Sequence, residues 1–239
     1  MTDQHTAKAF DSDLQDLTRM VAEMGGLAEK EIADSIDALA KRDSELAERV
    51  RALDATIDQL QREIEEKAIQ TIARRQPMAV DLREIVSALR ISNDLERIGD
   101  LAKNIGKRVI ALGGEFPPPA SIRGVEHMSN LVLVQLKAVL DAFARRDVAK
   151  AMEVWRNDEE IDAVCISVFR ELLTYMMEDP RNISFCIHLL FCAKNIERMG
   201  DHATNIAETV HYMIEGRPIT DKRPKGDMTA AFGLRAAAQ

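Results

Sequence analysis

The sequence predicts an all-α fold, a tandem pair of three-helix bundles whose six long antiparallel helices are related by internal duplication. Three observations predict it. Apolar residues recur at three- and four-residue spacings through most of the chain, the mark of amphipathic helices. The composition is only 4% aromatic and rich in Ala, Leu, Ile, Glu and Arg, which favours helix over sheet. The phrase ERIGDLAKNI at 96–105 returns as ERMGDHATNI at 197–206, with Glu, Arg, Gly, Asp, Ala, Asn and Ile in place at an offset of 101.

Proline cannot sit in a helix interior without breaking it, so Pro77, Pro117, Pro118, Pro119, Pro180, Pro218 and Pro224 mark where helices end. The first helix carries Leu14, Leu17, Val21, Met24, Ile32, Ile36 and Leu39 on one stripe. KRDSEL at 41–46 then supplies a break, where Asp43 or Ser44 can cap the next helix. The second carries Leu46, Val50, Leu53, Ile57, Leu60 and Ile64 and ends near Arg75. The third runs from about Met78 to Leu112 and stops at GGEFPPP. Helices of about thirty residues are roughly 45 Å long, so the bundle is elongated. The second half repeats the plan: a helix over 120–145, a break capped by Asp147, a helix over 148–178, and a last helix over 181–215 ending at Gly216. The chain thus divides into a first bundle over 1–115, a second over 116–216, and a tail over 217–239 whose Pro, Gly and Lys predict mobility.

A formal charge of −8 and a pI near 5.3 argue against nucleic acid as a partner. Cys165, Cys186 and Cys192 lack CxxC spacing and read as buried apolar residues in a reducing compartment. The N-terminus has no basic and apolar leader, and no apolar run approaches the roughly 18–20 residues a spanning helix needs. These features predict a cytoplasmic protein without membrane insertion.

The repeated phrase carries the candidate chemistry. Residues four apart share a helix face, so Glu96 and Asp100 project together, as do Glu197 and Asp201. The preceding helices hold a second set, Asp54 and Asp58, and Asp158 and Asp162. Asp58 and Glu96 are each 19 residues from Pro77, and Asp54 and Asp100 each 23, so a hairpin about Pro77 brings four carboxylates level. About Pro180 the second set matches to within a residue. Such a cluster must either take up protons or be neutralised by hard cations. An all-oxygen donor set suits divalent or trivalent ions such as Fe, Mn or Mg, with Zn possible; Asn104 and Asn205, one turn on, are further oxygen candidates. One copy alone reads as a solvated face, with Asn93, Lys103 and Lys107 on the same side. The duplication argues otherwise, as do Gly99 and Gly200, each costing about 0.8–1 kcal/mol relative to alanine in a helix. A close approach of another backbone or a metal-bridging group gives a reason to accept that cost twice. His202 is read as a core or surface histidine, Asp81 as a helix cap, and Arg74, Arg75 and Arg181 as solvated cations at the bundle tips.

RRQPMAVDLREIVSALRISNDLERIGDLAKNI at 74–105, together with MMEDPRNISFCIHLLFCAKNIERMGDHATNIAE at 176–208, resembles the PhoU family of accessory regulators of bacterial phosphate-specific transport. The resemblance covers about 8–216 and includes MGGLAEK at 24–30 and VLDAFARRD at 139–147. It implies two three-helix bundles with multinuclear metal clusters at Glu96/Asp100 and Glu197/Asp201, with Asp54/Asp58 and Asp158/Asp162 opposite. It also implies a non-enzymatic negative regulator that links the phosphate ABC transporter, on its cytoplasmic ATPase side, to the phosphate-sensing histidine kinase. An apolar stripe on long helices is consistent with a homodimer. Two other readings stand beside this one. A ferritin-like carboxylate-bridged metalloenzyme calls for Glu-x-x-His on two helices, whereas neither Glu96 nor Glu197 has a histidine three residues on. A metal-free helical scaffold needs neither acid cluster.

Overall fold

The computed structural model describes residues 2–113, 119–221 and 223, with side chains from Phe10 onward in the first half and from Ile122 in the second. The described residues contain no strand. Helices α1 (Thr2–Lys41), α2 (Ser44–Arg75) and α3 (Val80–Ala111) make the first bundle. Helices α4 (Pro119–Arg145), α5 (Val148–Arg156), α6 (Asp158–Glu178) and α7 (Ile183–Glu215) make the second, with a 3-10 turn at Pro180–Asn182.

The two bundles start their second rods by the same device. Arg42 takes a left-handed φ of 60°, and Asp43 caps α2 by accepting from the Leu46 amide at 2.8 Å. Arg146, at φ 54°, and Asp147, accepting from the Lys150 amide at 3.0 Å, repeat it before α5. At the α2–α3 turn Gln76 is left-handed and its amide closes the helix on the Ile72 carbonyl. The cap position of α3 is Ala79, without a side-chain bond; Asp81 lies inside the first turn, where its charge faces the positive end of the helix rather than capping it. The GGEFPPP stop falls largely on residues outside those described, as does most of the tail.

One rod differs from expectation. The helix expected over 148–178 is broken at Asn157 into α5 and α6. Asn is a weak helix former, and Asp158, Glu159 and Glu160 favour the start of a helix rather than its interior. The matching stretch of the first half, Leu53 to Thr56, runs unbroken within α2.

The bundles do not stand apart. One continuous core runs through both, with α3 packed along α7 and α1 along α4. Ile91, Leu95, Ile98 and Ile105 from α3 and Leu189, Ile196, Met199 and Ile206 from α7 are fully buried in it. The stripe read from α1 and α2 is buried except for Leu46 and Leu53, which are half-buried at its edge. All three cysteines are buried and free, and burial pushes the Cys165 and Cys192 thiols up to about 12. No helix is long and apolar enough to cross a membrane among the described residues.

Candidate carboxylate sites

The hairpin register sets the geometry of the first site. Gln61 and Asn93, each 16 residues from Pro77, are joined across α2 and α3 by a 2.7 Å hydrogen bond. That bond holds the pairing that also levels Asp58 with Glu96 and Asp54 with Asp100. Lys103 confirms the level: its Nζ donates to Asp54 Oδ2 at 2.6 Å and to Asp100 Oδ1 at 2.5 Å. Arg97 covers the outer side, 3.2 Å from Glu96 Oε2 and 3.4 Å from Asp100 Oδ2. Asp54 is buried, while Asp58, Glu96 and Asp100 are half-buried. Burial, with the negative charges of Asp100, Asp58 and Asp54, holds Glu96 above its ordinary carboxylate range against the pull of Arg97. Burial alone would lower Lys103, but its bonds to Asp100 and Asp54 outweigh it and raise the ammonium.

A fifth carboxyl completes this site from α1, and the reading of the acid pairs missed it. Glu31 is 0% exposed and neither of its oxygens has a hydrogen-bond partner. Burial first, and then the charges of Asp54, Asp100 and Asp58, push its pKa up to about 9. A buried carboxyl with both oxygens unpaired is costly, so it must keep its proton or be met by a cation. Its signal is visible in the chain: Glu31 stands between Ala28 and Ile32 on the apolar stripe of α1, where an acid has no solvent to face.

Gly99 is explained by the same carboxyl. A Cβ there would sit 3.0 Å from Glu31 Oε2 and 3.1 Å from Ile57 Cδ1; at Gly200 it would sit 3.0 Å from Ile161 Cδ1. The approach expected from a backbone or a bridging group is thus made by side chains, an isoleucine of the facing helix in both bundles.

The second site repeats the arrangement with changed parts. Asp158, Asp162 and Glu197 are buried and Asp201 is half-buried. Arg223, beyond α7, donates to Asp158 Oδ2 from Nη2 at 2.7 Å and from Nε at 3.1 Å, and its Nη2 lies 2.8 Å from Asp201 Oδ1. Thr204 donates to Asp158 Oδ1 at 3.1 Å. Burial raises Asp158 despite Arg223, and raises Glu197 despite Lys194. Lys194 Nζ lies 2.7 Å from Glu197 Oε2 and forms an ion pair with it. Gln135 is the counterpart of Glu31 in the repeat, at the offset of 104 that also relates Asp43 to Asp147 and Asp54 to Asp158. Its Oε1 is likewise buried without a partner, but it brings no charge.

The other candidates lie elsewhere. Asn205 donates to Asp94 Oδ1 at 3.3 Å and His202 Nδ1 meets the same oxygen at 2.8 Å, so both serve the seam between α3 and α7. Asn104 accepts from Lys107 at 3.0 Å. These bonds of the two asparagines thus go to groups other than the site acids. Arg75 pairs with Asp13, and Arg181 with Asp179, rather than standing free. With Lys103 and Arg223 seated among the acids, no three His, Cys, Asp or Glu side chains among the described residues are gathered as a set that could hold a metal ion. The donor chemistry nevertheless suits a hard cation: carboxylate oxygens at each site, and in the first bundle an orphaned carboxyl behind them.

The model of the PhoU domain matches the chain twice, over residues 21–109 and 125–210. The chain is 58% identical over 233 residues to the phosphate-specific transport system accessory protein PhoU homolog of Rhizobium meliloti, covering 98% of each. It is 54% identical to the protein of that name from Caulobacter vibrioides, covering 94% of this chain and 98% of that one. Its fold is similar to the crystal structure of PhoU from Pseudomonas aeruginosa, with a TM-score of 0.83, 42% identity, 87% of this chain and 100% of the other covered. The phosphate transport system regulatory protein PhoU from Streptococcus pneumoniae superposes with a TM-score of 0.82 at 29% identity, with 89% of this chain and 100% of the other covered.

Proposed function

The chain belongs to the PhoU family, and from that premise we propose that it is a non-enzymatic accessory protein of phosphate transport and a negative regulator of the phosphate regulon. In this reading it couples the cytoplasmic ATPase side of a phosphate ABC transporter to a phosphate-sensing histidine kinase. The observation that carries the proposal is similarity over nearly the whole of both chains to relatives named as accessory proteins of phosphate-specific transport. Deleting the gene is expected to raise expression of a phosphate-regulon reporter in phosphate-replete cells. Unchanged reporter output would overturn the regulatory reading, and capture of the transporter ATPase and the kinase on the tagged protein tests the coupling.

Cations belong to the same reading. Asp54, Asp58, Glu96 and Asp100 would hold a hard metal ion in the first bundle, backed by Glu31, and Asp158, Asp162, Glu197 and Asp201 would do so in the second. The orphaned, fully buried Glu31 supports this, since an ion nearby would let it ionise. When bound, the metal supplies positive charge that ties α2 to α3 and α6 to α7. The chain's own residues set the level of the acids and the depth of the site, and Lys103 must swing aside for an ion to enter the first. Elemental analysis of wild type against a double variant, Asp100→Asn with Asp201→Asn, tests it; equal and negligible Fe, Mn, Zn and Mg in both would end the metal reading. A homodimer is also part of the proposal. Its support is the exposed stripe of Ile183, Ile187 and Phe191 on α7 beside Leu173 and Met177 on α6. Sedimentation velocity tests it, and a monomer at micromolar concentration would refute it.

A further inference from the structure

The two sites present equivalent carboxylates but fill them from different places. In the first, the cation between Asp54 and Asp100 is Lys103, one turn along the helix that carries Asp100. Its counterpart at the offset of 101 is Thr204, which has a hydroxyl and no charge. The equivalent acids, Asp158 and Asp201, are bridged by Arg223, which arrives from beyond α7. The Arg223 side chain is 15% exposed and that of Asp158 is 4% exposed, so this is a seated guanidinium and not a passing surface pair.

The path of the chain explains the reach. Gly216, at φ 73°, ends α7 and turns the chain, and Ile219 packs onto the core. Asp201 lies 15 residues back along α7 from Gly216, roughly 22 Å at 1.5 Å per residue. Seven residues from Gly216 to Arg223 span at most roughly 24 Å. The described residues after Gly216, together with the long arginine side chain, are therefore long enough to bring the guanidinium back to the level of Asp158 and Asp201.

We propose that the segment after α7 is an intramolecular latch on the second carboxylate site, with Arg223 in the place an external cation would take. The two sites then respond differently. Lys103 is carried on α3 and can only rotate, whereas Arg223 leaves with its segment while the helices stay in place. Cation entry into the second bundle is tied to release of the latch, and whatever captures the segment opens the site. This rests on the metal reading above for the identity of the competing cation, but the latch itself does not.

The test uses the full chain with Mn2+ as probe. Asp54→Asn and Asp100→Asn silence the first site in every sample, and Mn2+ binding is followed by loss of the free-ion electron spin resonance signal. Adding Arg223→Gln is expected to tighten binding about tenfold, because the competent state no longer has to be freed. Arg223→Lys, which keeps the charge, is expected to lie nearer the parent. The mobility of a nitroxide attached at Thr220→Cys is read in parallel, without metal, the three native cysteines being buried. Arg223→Gln, and separately Asp158→Asn with Asp201→Asn, are expected to narrow its electron spin resonance lines relative to the labelled chain without them. Equal Mn2+ affinity with and without Arg223 overturns the gating. Absence of Mn2+ binding in every sample ends the metal reading and leaves the latch to the nitroxide spectra, where unchanged line widths overturn it.

Discussion

Replacing Glu31 by glutamine separates charge from shape at a fully buried acid of the first site. The side chain is fully buried with neither oxygen paired, and its carboxyl titrates near 9 rather than its ordinary 4.5. At pH 7, holding the proton across two and a half pH units costs about 3 kcal/mol at 1.36 kcal/mol per unit. The folded value lies above the unfolded one, so the native state keeps a proton that the unfolded chain releases. Glu31's contribution is therefore intact below about pH 4.5 and declines as pH rises toward about 9. Glutamine has no proton to hold, and Gln135 is the counterpart of Glu31 in the repeat. Glu31→Gln should match wild type near pH 5, exceed it by about 2–3 kcal/mol at pH 7, and gain further at pH 8.5. Urea unfolding followed by helical circular dichroism, in chelator at the three pH values, reads this directly. A constant separation at all three would refute the argument, because a purely steric change does not depend on pH.

Further substitutions probe the same architecture. Lys103→Met leaves buried Asp54 without its cation and should cost about 2–4 kcal/mol in chelator, read by urea unfolding. Added Mn2+ should restore part of that loss if the acids accept a metal. Gly99→Ala gains about 1 kcal/mol of helix propensity but drives a Cβ against Glu31 and Ile57, both fully buried, so a net loss of about 1 kcal/mol is expected. A higher melting temperature for Gly99→Ala would contradict that crowding. Asp43→Ala removes the bond to the Leu46 amide and should destabilise by about 1 kcal/mol in chemical denaturation. Ile98→Ala, in the shared core, should cost about 2–5 kcal/mol and unfold both bundles in one transition; two separated transitions would show that the halves are independent.

Much of this molecule is written locally. The stripe from Leu17 to Leu39, the caps Asp43 and Asp147, and the stop at Gly216 follow from helical period and backbone chemistry, which act within a few residues. Counting outward from Pro77 levels Asp54 with Asp100 because two straight helices joined by a tight turn leave little freedom of register. The tertiary structure decided what no spacing encodes. Glu31 reaches the acids from a third helix, and Arg223 crosses from beyond α7. Asn205 and His202 turn to Asp94 across a seam between bundles that periodicity does not orient. Local sequence determines which face of a helix is buried; which partners meet there depends on how the buried faces pack, and that is a property of the whole core.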